Sequence, residues 1–166
     1  MDRTPIYQHS ASYAAESNEL PQYRASQKAN IACKEAIEAA IRENYDGHSL
    51  DSNAAWTVIE QFGFDRPLFV LANTIQNHDW DGRYSNDVKS WAKSVPIVSD
   101  DDALGYNRRL RFIINSHPGL LNMFTQMIRK EQREMERVRP SIRQKLERPV
   151  QAHASKNAMP TKGQER

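Results

Sequence analysis

The chain has 166 residues, 39% of them apolar, with a mean hydropathy of −0.79 and a formal net charge of +2. That is the length of one domain, only part of which is apolar enough to build a core. No apolar run approaches the ~20 residues that cross a bilayer, the opening stretch with Asp2, Arg3 and Pro5 lacks the apolar run of a secretory signal, and a single cysteine, Cys33, leaves no internal disulfide. The expectation is a cytoplasmic protein without membrane association or cofactor.

Charge and aromatics divide the chain. Residues 1–106 carry 9 Lys/Arg against 16 Asp/Glu, a net of −7, whereas residues 107–166 carry 14 against 5, a net of +9. A basic end beside an acidic body points to a partner engaged by one end. All 14 Phe, Tyr and Trp residues lie between Tyr7 and Phe124, so the following residues lack the large side chains whose burial offsets the entropy of ordering.

In chain order, the first clear helix is predicted over 24–44, with Cys33, Ala36, Ile37, Ala40 and Ile41 on one side and Lys34, Glu35, Glu38 and Arg42 on the other. Asp46-Gly47 ends it. A second helix starts at Asp51 or Ser52, turns Trp56, Ile59 and Phe62 inward, and stops at Gly63. The stretch 67–76 is the centre of the core. Leu68-Phe69-Val70-Leu71 would also read as a buried strand, but Asp65 as a cap, Pro67 in the first turn and continuation to Ile75 favour helix.

After the loop 79–85, Ser85 caps a short helix with Val88 and Trp91, closed by Pro96. Asp100-Asp101-Asp102 precedes a further helix through Leu110, Ile113 and Ile114 to Asn115. Ser116-His117-Pro118-Gly119 then starts a last helix, with Leu120, Leu121, Phe124, Met127 and Ile128 as its buried stripe, and proline in the first turn where no backbone donor is lost. This pattern predicts an all-α domain over 6–138, whose last helix projects until Pro140, and a disordered basic tail over 139–166.

The strings 28–47 (KANIACKEAIEAAIRENYDG), 69–85 (FVLANTIQNHDWDGRYS) and 116–121 (SHPGLL), in that order, resemble an uncharacterised domain of unknown function from Firmicute gut bacteria, carried on conjugative elements and prophages. The resemblance spans roughly 6–129. It implies a bacterial mobile-element setting, and no reaction or catalytic residue.

Among candidate sites, Asn30 lies on an apolar helix face and needs a hydrogen-bond partner there, which suits a polar clamp between two segments. Asn73 and Gln76 are expected to tie down the 79–85 loop. That loop is the strongest surface candidate: Trp80 and Tyr84 offer contact area, Arg83 a forked cation, and Asp81-Gly82 a turn to present them. The competing reading makes Trp80 a plug of the domain's own core and Arg83 the ion-pair partner of Asp79 or Asp81.

Arg108, Arg109 and Arg111, followed by Arg129, Arg133 and Arg137 at i, i+4 and i+8, form the one extended basic surface and could contact phosphates. Glu131, Glu134 and Glu136 interleave with it, as on a solvated helix. His48, His78 and His117 are scattered, with no metal-ligand spacing. Cys33 sits on an apolar face where thiols are inert, and His117 reads as a helix-start residue. The expected function is therefore a non-enzymatic interaction module, in concrete form an inhibitor of a host defence nuclease, binding a bacterial protein or protein–nucleic-acid complex through Trp80, Arg83 and Tyr84. The alternative is an accessory nucleic-acid-binding protein acting through the basic third.

Overall fold

A computed structural model of the chain describes residues 1–98 and 111–156, with side chains through Val138. It is all-α: α1 (Ala11–Glu16), α2 (Leu20–Asn44), α3 (Asn53–Phe62), α4 (Asp65–Gln76), α5 (Asn86–Ser94) and α6 (Pro118–Lys156). Among the described residues the only extended pairing is an isolated bridge between Tyr45 and Leu50. Residues 1–129 form one compact unit and 130–166 a second.

α4 is the centre of the first unit, because every residue from Arg66 to Ile75 is buried and a helix buried all round needs neighbours on all sides. α2 and α5 pack on it, α3 bridges α2 and α4, and α1 lies on α2. The stripe Leu121, Phe124 and Ile128 of α6 belongs to the same core cluster as Ile37, Ile41, Val58, Leu71 and Val88. Burying such side chains contributes roughly 1.5–3 kcal/mol each.

Helix ends follow the local chemistry. Ser85 caps α5 by accepting from the Val88 amide at 3.2 Å, and the Asp51 carboxylate accepts from the Asn53 amide at 2.8 Å ahead of α3. Gly63 ends α3 at φ +75°, a conformation that disfavours any side chain. The Gly119 amide donates to Nδ1 of His117 at 3.0 Å, which makes His117 the helix-start residue of α6.

Four expectations are corrected. Trp56 does not turn fully inward: it is 37% exposed, and Ala55, Val58 and Ile59 supply the buried face of α3 instead. Ile113, Ile114 and Asn115 are not helical; only a short 3₁₀ turn at 111–112 precedes them. The Ile114 amide there donates to Oγ1 of Thr74 and the Asn115 amide to Glu38, partners that replace a helical ladder. The rest of that expected helix lies outside the described residues. The first helix begins at Leu20, with Pro21 in its first turn, and α1 precedes it unforeseen.

The fourth correction concerns α6, whose backbone continues to Lys156 beyond Pro140, where the sequence reading ends it. A proline inside a helix costs roughly 3 kcal/mol, but residues 141–148 between the two prolines are mostly Arg, Lys, Gln, Leu and Glu, good helix formers. Of the tail expected over 139–166, residues 157–166 lie outside the described residues.

A polar clamp joins the opening segment to α2 and α4. Arg66 is 3% exposed; its guanidinium donates to Oδ1 of Asn30 and the Ser26 carbonyl through one nitrogen and to the Thr4 carbonyl, at 2.8 Å, through the other. Burial pushes its pKa down, opposed by the negative charge of Asp2. Asn30 thus has the clamping role its position predicts. Cys33 is fully buried, and burial lifts its thiol to about 12, so it is packing rather than a nucleophile.

Candidate interaction loop

The loop that follows α4 is ordered by its own backbone and by one carboxylate. His78 caps the helix end, its amide donating to the Ile75 carbonyl at 3.0 Å and its Nδ1 to the Thr74 carbonyl at 2.9 Å. The Asp81 amide donates to the His78 carbonyl at 3.0 Å and the Tyr84 amide to that of Asp81 at 3.4 Å. At the far end the Ser85 amide donates to Oδ1 of Asn122 at 2.9 Å, tying the loop to α6.

Asp81 is the brace. It is 6% exposed, and its Oδ1 accepts from the Arg83 amide at 2.9 Å and from Nε at 3.0 Å, while Oδ2 accepts from the other guanidinium arm at 2.7 Å. This is an Asx turn closed by a bidentate ion pair. Gly82 has no positive φ, so the carboxylate rather than the glycine makes the turn. These hydrogen bonds, those of the Arg83 side chain first, hold the Asp81 carboxyl down at about 2 and raise the Arg83 pKa.

The three predicted contact residues separate. Trp80 is 74% exposed and touches the His78 ring edge-on, centroids 6.0 Å apart; it is not a core plug. Arg83 stays half exposed while its fork is engaged by Asp81, as the competing reading had it. Tyr84 is corrected: it is 3% exposed and part of the core cluster, and burial lifts its phenol to about 12. Tyr84 is the plug, and it anchors the loop that carries Trp80.

Gln76 is corrected as well. Its Nε2 donates to the carbonyls of Ala92 and Val95, at 2.6 and 3.0 Å, so it fastens the end of α5 rather than the loop. Asn73 is fully buried, its carbonyl accepting from the Asn77 side chain at 2.8 Å.

Arg129 reaches Asp87 at 2.9 Å and lies over the Trp91 ring, 5.2 Å from its centroid, so it serves packing between α5 and α6. Arg133 and Arg137 are exposed in the second unit. Arg111 is exposed beside α2, and Arg108 and Arg109 lie outside the described residues. Among the described residues no group of His, Cys, Asp and Glu could hold a metal ion, and no helix is long and apolar enough to cross a membrane.

Sequence reasoning missed Asp81 as the organiser and Arg66 altogether. The first was legible in the D-x-R spacing of Asp81 and Arg83, since a carboxylate two residues ahead of an arginine can take both its amide and its fork. The second was signalled only by Asn30, a buried amide in need of a donor.

The domain is thus all-α, with Trp80 presented in solvent on a loop braced by Asp81. Residues 6–133 match the family described as Protein of unknown function (DUF3849), and the chain belongs to that family. Comparison with curated proteins and comparison with solved structures each gave no match.

Proposed function

We propose that the domain is a non-enzymatic protein-interaction module whose contact centre is Trp80 with the flanking Arg83. The observation that carries this reading is a large aromatic held three-quarters exposed on a loop whose ends and middle are fixed by hydrogen bonds. A monomer gains nothing by leaving an indole in water. On a rigid loop, however, the indole binds a partner with little entropy left to lose. Arg83, already neutralised by Asp81, brings its apolar stem and the planar face of the guanidinium rather than a free charge.

The partner class to test first is a bacterial protein or protein–nucleic-acid machine, such as a host defence nuclease, because the resemblance implies a mobile-element setting. The experiment is affinity capture from bacterial lysate, with and without nuclease treatment, comparing the wild-type chain with Trp80→Ala. A protein retained by the wild type after nuclease treatment and lost from the variant supports the reading. Capture that depends on nucleic acid and ignores Trp80 favours the alternative of an accessory nucleic-acid-binding protein.

A further inference from the structure

Residues 1–8 belong to no helix, and none of them is buried, Met1 being 74% exposed. What they add to the core is Ile6, half-buried on the cluster, and the Tyr7 ring, which meets that of Tyr23 edge-on at 5.8 Å. A cleft of about 500 Å³ lies between residues 1–6 and residues 62–66. The segment is therefore held by hydrogen bonds more than by packing. The Asp2 amide donates to the Gln61 carbonyl at 2.6 Å, the Tyr7 amide to Oγ of Ser26 at 3.0 Å and the Tyr7 hydroxyl to Glu19 at 2.7 Å, while the Thr4 carbonyl accepts from Arg66 at 2.8 Å.

Arg66 is the unusual partner. A guanidinium is seldom buried without a carboxylate, yet Arg66 is 3% exposed and makes no ion pair among the described residues, its acceptors being two carbonyls and Asn30. The Asp2 carboxylate acts on it from beyond ion-pair distance and itself accepts from the Thr4 amide at 2.8 Å. One segment thus supplies both an acceptor and the counter-charge. Lifting it returns that side of the guanidinium to water, and the recovered hydration offsets part of the hydrogen bonding lost. A segment with little apolar burial, whose release relieves a buried charge, opens at low cost.

We infer that residues 1–8 are a strap that opens and closes as a unit, with Arg66 as its latch. Its tethers reach α3 through Gln61, α4 through Arg66 and α2 through Ser26, so one short segment closes over three helices. Closed, it sits on Ser26 and Arg66, which are 2% and 3% exposed. Open, it leaves Arg66 with free N–H donors beside the Asn30 amide, a polar recess that the closed protein does not offer. The strap shares no residue with the Trp80 loop, so the two readings stand or fall separately.

Native-state hydrogen exchange of the full chain in low urea, read by NMR, tests this. The Tyr7 amide and the Arg66 guanidinium protons should exchange through one opening, at least about tenfold more populated than the global unfolding that frees the Leu71 amide of α4, and less dependent on urea because less surface is exposed. Arg66→Lys keeps the charge and loses the fork. It should speed exchange of the Tyr7 amide relative to that of Leu71 by about tenfold or more, the equivalent of one hydrogen bond to a charged group. Tyr7→Phe removes only the tether to Glu19 and leaves Arg66 intact, and should speed the amide at position 7 and the Arg66 protons by one common factor. Exchange at position 7 only through global unfolding, an unchanged ratio to Leu71 in Arg66→Lys, or acceleration at position 7 alone in Tyr7→Phe would overturn the proposal.

Discussion

Asp81 accepts three hydrogen bonds from Arg83, one from the backbone and two from the guanidinium, and this gives the loop a defined acid sensitivity. A carboxyl whose folded pKa lies near 2, below its ordinary value near 4, stabilises the fold where it is ionised in both states. That contribution is fully present above about pH 4 and is lost as pH falls toward about 2. The Arg83 amide resonance should therefore shift between pH 4 and pH 2 while the core is still folded, and Asp81→Asn should abolish that step; an unchanged titration in the variant would dissociate the loop from its carboxylate. Tyr84 supplies the second residue-level expectation. Because it is buried in the core cluster, Tyr84→Ala should destabilise the protein by about 3–5 kcal/mol in denaturant unfolding, whereas a near-neutral result would detach the loop from the core.

At the scale of the elements, α4 carries the fold because nothing on its circumference is exposed between Arg66 and Ile75. Leu71→Ala should cost about 2–5 kcal/mol, read from the urea midpoint at constant slope. A near-neutral value would mean that the helix is not central. The helices most legible in the sequence are those whose ends have distinct chemistry: Ser85 for α5, Gly63 for α3, and Pro118 for α6. The apolar run 67–76, open between strand and helix in the sequence with helix favoured, lies within the helix α4. What was not legible depends on contacts far away in the chain. Ile113 and Ile114 keep an apolar pattern that a helix would also show, yet their segment is held by Thr74 and Glu38, residues 40 and 77 positions from their donors. Trp56 has helical spacing with Ile59, but α2 and α4 take up the smaller face of α3 offered by Ala55 and Val58. Likewise Tyr84 and Trp80 are alike as sequence symbols, and only the closure of the loop on Asn122 decides which one enters the core.

For the whole molecule, the aromatic boundary at Phe124 and the last fully buried side chain among the described residues, Ile128, nearly coincide, which is why the core's extent could be read from composition. A chain ending at Arg139 retains every buried residue described, so it should unfold cooperatively with a melting temperature matching that of the full chain; loss of a cooperative transition would place structural residues beyond that point. The charge division is a weaker guide. Arg129, in the basic portion, is spent on Asp87 inside the fold, so a block count of charge does not show which cations are free to meet a partner. The family match over 6–133 covers both the loop and α4.

The central claim is that Trp80 serves a partner rather than the fold, and paired measurement on Trp80→Ala tests it most directly. The variant should melt like the wild type, within the ~0.5 kcal/mol typical of surface changes, and lose capture of a nuclease-resistant protein partner by at least the ~2 kcal/mol of a hot spot. A drop in stability of about 3–5 kcal/mol, or capture unchanged by the substitution, would contradict it.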